Sequence, residues 1–202
     1  MTRPKLTYFD MPVSRGEECR LAFAIAGADF DDHRIAREAW PALKPTTPFG
    51  ALPVLEVPGH PPIAQSNAIL AYIGRRYGVH PEDLVEAARH EALMAHVEDL
   101  RATVAASGRN VDEAAKRRAR EHLAEVTIPA WARSIEAQIG DGPFLAGARP
   151  SVADVKLYMG VRAFRRGVMD YIPTTVFDAF PKLIRLCDAV EAFPAVQAWI
   201  SR

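Results

Sequence analysis

The chain has 202 residues, of which 49% are hydrophobic and 25% charged, and its 25 Lys plus Arg balance 25 Asp plus Glu. That length accommodates one large domain or two small ones, with a core that requires no disulfide or metal to hold it. A formal net charge of zero argues against a polyanion as the main partner, and two cysteines without a CxxC spacing exclude a disulfide framework or zinc site.

In chain order, the first residues, MTRPKLTYFD, lack the apolar core of a signal peptide, and no apolar run approaches membrane-spanning length. The expectation is a cytoplasmic protein with no membrane partner. Lys5 to Phe9 reads as a short strand, and Arg15 to Ala26 as a helix with the apolar stripe Cys19, Ala22, Phe23 and Ala26, stopped by Gly27. Asp31 to Ile35 is a second strand. Trp40 to about Pro48 is expected to be irregular, punctuated by Pro41, Pro45 and Pro48. An apolar strand with Leu52, Val54, Leu55 and Val57 passes through Pro53 and leaves by Pro58-Gly59. Pro53, in a loop that must turn sharply, is a candidate cis-proline. After a polar connector and a returning strand, Gln65-Ser66 precedes the helical run Ile69, Leu70, Tyr72 and Ile73, ending at Gly78. Ser66 is placed to cap that helix, leaving backbone N–H groups free to hold an anion. Strand, helix, strand, hairpin and helix give an α/β unit with a mixed four-stranded sheet, in thioredoxin-like order.

From Pro81 to Arg202 no strand is convincing. Ala, Glu, Arg and Leu recur with a period near 3.6, predicting an all-α domain of about five helices, with Leu84, Ala88, Glu91 and Ala95 along one face of the first. The boundary falls at Val79 to Asp83, with Pro81 opening the next helix, which divides the chain into 1–79 and 84–202. Ser151-Val152-Ala153-Asp154 is a capping-box variant with Asp in place of Glu. Cys19 and Cys187 have apolar neighbours at helical spacing and read as buried, reduced thiols. Lys116 to Arg120 is basic but flanked by Asp112, Glu113, Glu121 and Glu125, so it reads as a solvated helix face and not as a nucleic-acid site. The histidines show no metal-ligand spacing.

The segment PFGALPVLEVPGHPPIAQSNAILAY, residues 48–72, together with Leu6-Thr7-Tyr8-Phe9 and Arg15-Gly16-Glu17-Glu18-Cys19-Arg20, resembles the glutathione-binding half of glutathione transferases. The chain as a whole looks like a cytosolic member of that family, closest to its tyrosine-type, sigma-like classes. The resemblance implies a transferase with glutathione as co-substrate, no metal, a small hydrophobic electrophile as second substrate, and a C2 homodimer. It implies that Tyr8 donates its hydroxyl to the glutathione sulfur, with Arg15 as the supporting cation. Trp40 and Lys44 would hold the glycyl carboxylate, the Leu52 backbone before Pro53 the cysteinyl residue, and Gln65 and Ser66 the γ-glutamyl end. Asp99, with Glu98 as the alternative, would reach across the dimer to the partner's ligand. Phe49 stands where several classes place an aromatic key into the partner subunit. Three departures are visible, one of them Ala51 where many relatives place Gln or Lys, which removes a side-chain contact. The loop from Tyr8 to Arg15 is one residue longer than the usual pattern, bringing in Ser14 and with it a serine-type variant as an alternative, and Gly16 replaces the familiar Ala. The electrophile pocket is expected among Phe9, Met11, Val13, Val104 and Phe164. A non-catalytic glutathione-binding scaffold and a glutathione-dependent isomerase or peroxidase remain as alternatives.

Overall fold

A computed structural model describes residues 3–202. Strand β1 (Lys5–Phe9) pairs in parallel with β2 (Asp31–Ile35), and antiparallel β3 (Val54–Glu56) and β4 (Ile63–Ala64) complete a sheet of order β2-β1-β3-β4. The parallel β1–β2 pair needs a crossover, supplied by helix α1 (Ser14–Ala26). Gly27 ends it at φ 61, a conformation open to glycine without steric penalty. Helix α3 (Ser66–Tyr77) ends in the same way at Gly78, φ 71.

The stretch expected to be irregular is instead a chain of short helical turns. A 3₁₀ turn (Arg37–Ala39), one turn of α-helix α2 (Trp40–Leu43) and a second 3₁₀ turn (Lys44–Thr46) follow one another. Pro41 and Pro45 sit in first-turn positions, where proline's fixed φ suits a helix and its missing N–H is not needed.

Among the described residues, the chain after Gly78 is helical: α4 (Leu84–Ala106), α5 (Glu113–His122), a π-type turn (Leu123–Thr127), α6 (Ile128–Glu136), α7 (Val152–Arg165), α8 (Pro181–Ala192) and α9 (Pro194–Ile200). These are six α-helices, one more than expected. Helix α4 does not open at Pro81. Its start is set by Asp83, whose Oδ1 accepts from the N–H groups of Val85 (3.0 Å) and Glu86 (2.9 Å). Its buried face is formed by Ala87, His90, Met94, Val97, Leu100 and Val104, while Leu84, on the face with Ala88, Glu91 and Ala95, is 84% exposed.

Helix α7 is the central post, packed on α1, α4 and α8. The capping box at its start is complete. Ser151 Oγ accepts from the Asp154 N–H (3.4 Å), and Asp154 Oδ2 accepts from the Ser151 N–H (2.8 Å). Asp154 also receives the Leu145 N–H at 2.8 Å, so the box pins the preceding loop. No helix is long and apolar enough to cross a membrane among the described residues.

Candidate functional site

The sheet register gathers the candidate residues at the C-terminal end of β1. Phe9 pairs with Ile35, so the chain leaving β2 toward Trp40 and Lys44 departs beside it. Thr7 pairs with Val54, which sets Pro53 next to Tyr8. Val54 pairs with Ala64, which returns the chain to the same end just before Gln65 and Ser66. The Trp40 ring stands edge-on to Phe9, centroids 6.0 Å apart. Lys44 is exposed and runs its stem over Gly50, and the Leu52-Pro53 peptide is cis.

Gln65 precedes α3 at φ 71, ψ 118, a conformation that costs a non-glycine residue about 1–3 kcal/mol and concentrates at ligand clamps. Ser66 is not the cap expected from sequence. Gln65 holds the cap position without a side-chain bond, and Ser66 is the first helical residue, 4% exposed. Its hydroxyl therefore serves a partner other than its own helix.

Tyr8 is buried and lies on the face of α1 formed by Gly16 and Arg20, four residues apart. A Cβ on Gly16 would stand 2.0 Å from Tyr8 Cδ1 and 2.2 Å from Cγ. Only glycine lets the ring lie so close to the helix. The Arg20 guanidinium carbon is 5.8 Å from the ring centroid. Fully buried, Arg20 donates to the carbonyls of Phe9 (3.1 Å) and Met11 (3.0 Å) and pairs with Asp32 (2.8 Å) and Glu17 (3.3 Å). It thereby ties down the loop that follows Tyr8. The other side of that loop is held by α7, where Arg162 Nη1 donates to the Pro12 carbonyl at 3.0 Å. Ser14 turns the loop into α1 at φ 61.

Arg15 is fixed by Glu98, which accepts from its Nε (2.9 Å) and Nη2 (2.6 Å). Glu98 also takes Lys156 (2.5 Å) and Arg101 (2.9 Å). Burial alone would raise the Glu98 pKa, but Lys156, then Arg101 and Arg15, more than reverse this and hold it at about 2. Glu98 is thus committed within its own chain. Asp99, one step round the helix, has a side chain 78% exposed, with His96 Nδ1 3.6 Å away. Phe49 is likewise exposed.

Two residues expected to line the electrophile pocket belong to the core. Phe164 packs edge-on to Phe177 at 5.6 Å, and Val104 is buried on the inner face of α4. Phe9 and Met11 are half-buried and Val13 is exposed, so these three remain available at the site's rim. Cys19 and Cys187 are buried, and burial pushes both thiols far up, which removes them as nucleophiles. Gly16, Glu18, Arg20, Arg101 and Lys156 pack or pair around these candidate residues, and sequence reasoning did not single them out for a role. Their one signal was the departure at Gly16.

Residues 4–75 match the family described as Glutathione S-transferase, N-terminal domain, and residues 98–202 match Glutathione S-transferase, C-terminal domain. Hematopoietic prostaglandin D synthase of Gallus gallus is 34% identical over 202 residues, covering 100% of this chain and 97% of that protein. Glutathione S-transferase 1 of Ascaris suum is 31% identical over 207 aligned positions, covering 100% and 97%. The solved structure of a prostaglandin synthase D of Nilaparvata lugens superposes with a TM-score of 0.86 at 30% identity, over 99% of this chain and 98% of that one.

Proposed function

Because the chain belongs to the glutathione transferase family, on its sigma-like side, we propose that Tyr8 holds the thiolate of bound glutathione for attack on an apolar electrophile. The observation that carries this reading is the register, which brings Tyr8, the Leu52-Pro53 step and Ser66 to one end of the sheet. An extended peptide laid against the Leu52 backbone would continue the sheet as an added strand. Its γ-glutamyl end would meet Gln65 and Ser66 at the start of α3, where the first N–H groups lack helical partners. Its glycyl carboxylate would meet the Trp40 N–H and the Lys44 ammonium, both donors.

A free thiol titrates near 8.5 and is mostly protonated at neutral pH. A phenol donating to sulfur favours the thiolate, and so does Arg15 at the start of α1, held in place by Glu98. Lowering the thiol by about two units corresponds to roughly 2.7 kcal/mol and makes the thiolate the major form. The sulfur lone pair then forms the new C–S bond as the leaving group departs with its electrons, and the thiol proton passes to solvent. Cytoplasmic location and a homodimer with Phe49 and Asp99 at its interface complete the proposal, supported by the exposure of both side chains.

The test is an ultraviolet titration of bound glutathione in wild type and Tyr8→Phe. The thiol should titrate well below its free value in wild type and rise by about a unit or more in the variant. Binding without a shift in either protein would leave only a scaffold role. Relatives named prostaglandin D synthase support a second reading, in which the same thiolate isomerises a substrate and leaves it unconjugated. Recovery of a rearranged product free of glutathione would favour it.

A further inference from the structure

A cluster of charged side chains meets beneath the start of α3. Lys156, on α7 and fully buried, donates from Nζ to Ser66 Oγ at 3.2 Å and stands 2.7 Å from Glu18 and 2.5 Å from Glu98. Glu18, also fully buried, pairs with Arg101 as well, and Arg101 and Arg15 both pair with Glu98. Four helices, α1, α3, α4 and α7, thus share one set of contacts. The cations Arg15, Arg101 and Lys156 face two carboxylates, Glu18 and Glu98, which leaves one positive charge in excess.

A surplus charge in a cluster whose Lys156 and Glu18 are fully buried favours an anion close to it. Here the excess adjoins Ser66, the one uncharged member. An ammonium can only donate, so Ser66 Oγ accepts from Lys156 and its own proton is left for another acceptor. The N–H groups of the first turn of α3 lie beside it with no helical partner. An anion at that point would take the Ser66 proton and neutralise the surplus charge.

We propose that Lys156 is a positioning residue for the α-carboxylate of a γ-glutamyl group, acting through Ser66. It sets the Ser66 hydroxyl as a donor and supplies the charge that the carboxylate completes. This rests on the glutathione reading of the site. The competing role is purely structural, with Lys156 serving only as the counterion of Glu18. Removing Lys156 separates the two, because Arg15–Glu98 and Arg101–Glu18 remain as a balanced set and no carboxylate is stranded.

The experiment is calorimetric titration of wild type, Lys156→Met and Lys156→Gln with two peptides: glutathione, and 4-aminobutanoyl-cysteinyl-glycine, which lacks only the α-carboxylate. Wild type should prefer glutathione. Lys156→Met should weaken glutathione about tenfold, equivalent to roughly 1.4 kcal/mol, and leave the analogue within about twofold. Lys156→Gln, which keeps a donor toward Ser66, should recover part of the loss. In steady state the KM for glutathione should rise while kcat stays within about twofold, the mark of lost uniform binding. Equal effects on both peptides, or none on either, would leave Lys156 a structural counterion and overturn the proposal. If Lys156→Met does not fold, the same comparison is read from Lys156→Gln. Wild type that binds both peptides equally would remove the carboxylate from Ser66, and wild type that binds neither would sink the functional reading along with this one.

Discussion

Replacing Gly16 by alanine tests how tightly the fold holds its proposed catalytic tyrosine. The added Cβ would lie 2.0, 2.2 and 2.7 Å from Tyr8 Cδ1, Cγ and Cε1. Ordinary carbon contacts begin at about 3.5 Å, so the ring or the helix must move by about 1.5 Å. Tyr8 cannot easily yield at its backbone, because it is paired with Arg34 in β2 and the preceding Thr7 is paired with Val54 in β3. Helix α1 cannot easily yield either, since Arg20, one turn on, is bonded to Phe9, Met11 and Asp32. The ring must therefore swing and take its hydroxyl with it. A misplacement of about 1 Å at a reacting group costs about a hundredfold in rate. The effect on stability is smaller, because about 1–3 kcal/mol of overpacking is offset by up to about 1 kcal/mol of helix propensity. The assay is kcat/KM for glutathione conjugation of a chromogenic electrophile, run alongside urea unfolding. We expect a fall of about a hundredfold with a net loss of about 0–3 kcal/mol. In a Tyr8→Phe background the same substitution should change the rate little, since the hydroxyl is already gone. Wild-type kcat/KM in Gly16→Ala, or an undiminished effect in the Tyr8→Phe background, would refute the reasoning.

Acid should destabilise the protein in two stages. Burial, then the neighbouring His80, lowers the His90 pKa to about 4, so the unfolded state, at about 6.5, binds its proton first. The stabilisation is complete above pH about 6.5 and is lost as pH falls through about 4, worth up to about 3 kcal/mol. Glu98, held at about 2, contributes stability that is complete above the usual 4.5 and is lost as pH falls through about 2. Urea midpoints measured from pH 7 to 4 should therefore decline in wild type and flatten in His90→Gln, and parallel profiles would remove His90 as the cause. Asp83→Ala should lose about 0.5–2 kcal/mol, since it frees the N–H groups of Val85 and Glu86 at the start of α4, with the loss read from urea unfolding at pH 7.

The elements legible in the sequence are those fixed by local chemistry. Strand β1 falls where Leu6, Thr7, Tyr8 and Phe9 place it, the polar β2 follows the turn after Gly27, Gly27 and Gly78 stop their helices, and Ser151 with Asp154 caps α7. Pro81 and Asp83 both signal a helix N-terminus, and α4 starts at Asp83 because its side-chain bonds win. Which face of α4 is buried could not be read, because the helix carries apolar residues on more than one side and only packing selects that of Ala87, Met94, Val97, Leu100 and Val104.

Sequence by itself determined the order of strands and helices and the family resemblance, and it was the resemblance that made Tyr8, Trp40, Lys44, Leu52, Pro53, Gln65 and Ser66 candidates, because they stand in short segments that match the family's. Only the tertiary structure decided that Glu98 is committed to its own chain, that Gly16 makes room for Tyr8, and that Lys156 lies under Ser66. Lys156 sits between Val155 and Leu157 in a run that gives no sign of which polar group will be buried. Its partners Glu98 and Ser66 are 58 and 90 residues away. Ion pairing acts through space and leaves no period in the chain, so such a cluster exists for a reader only after the helices have packed.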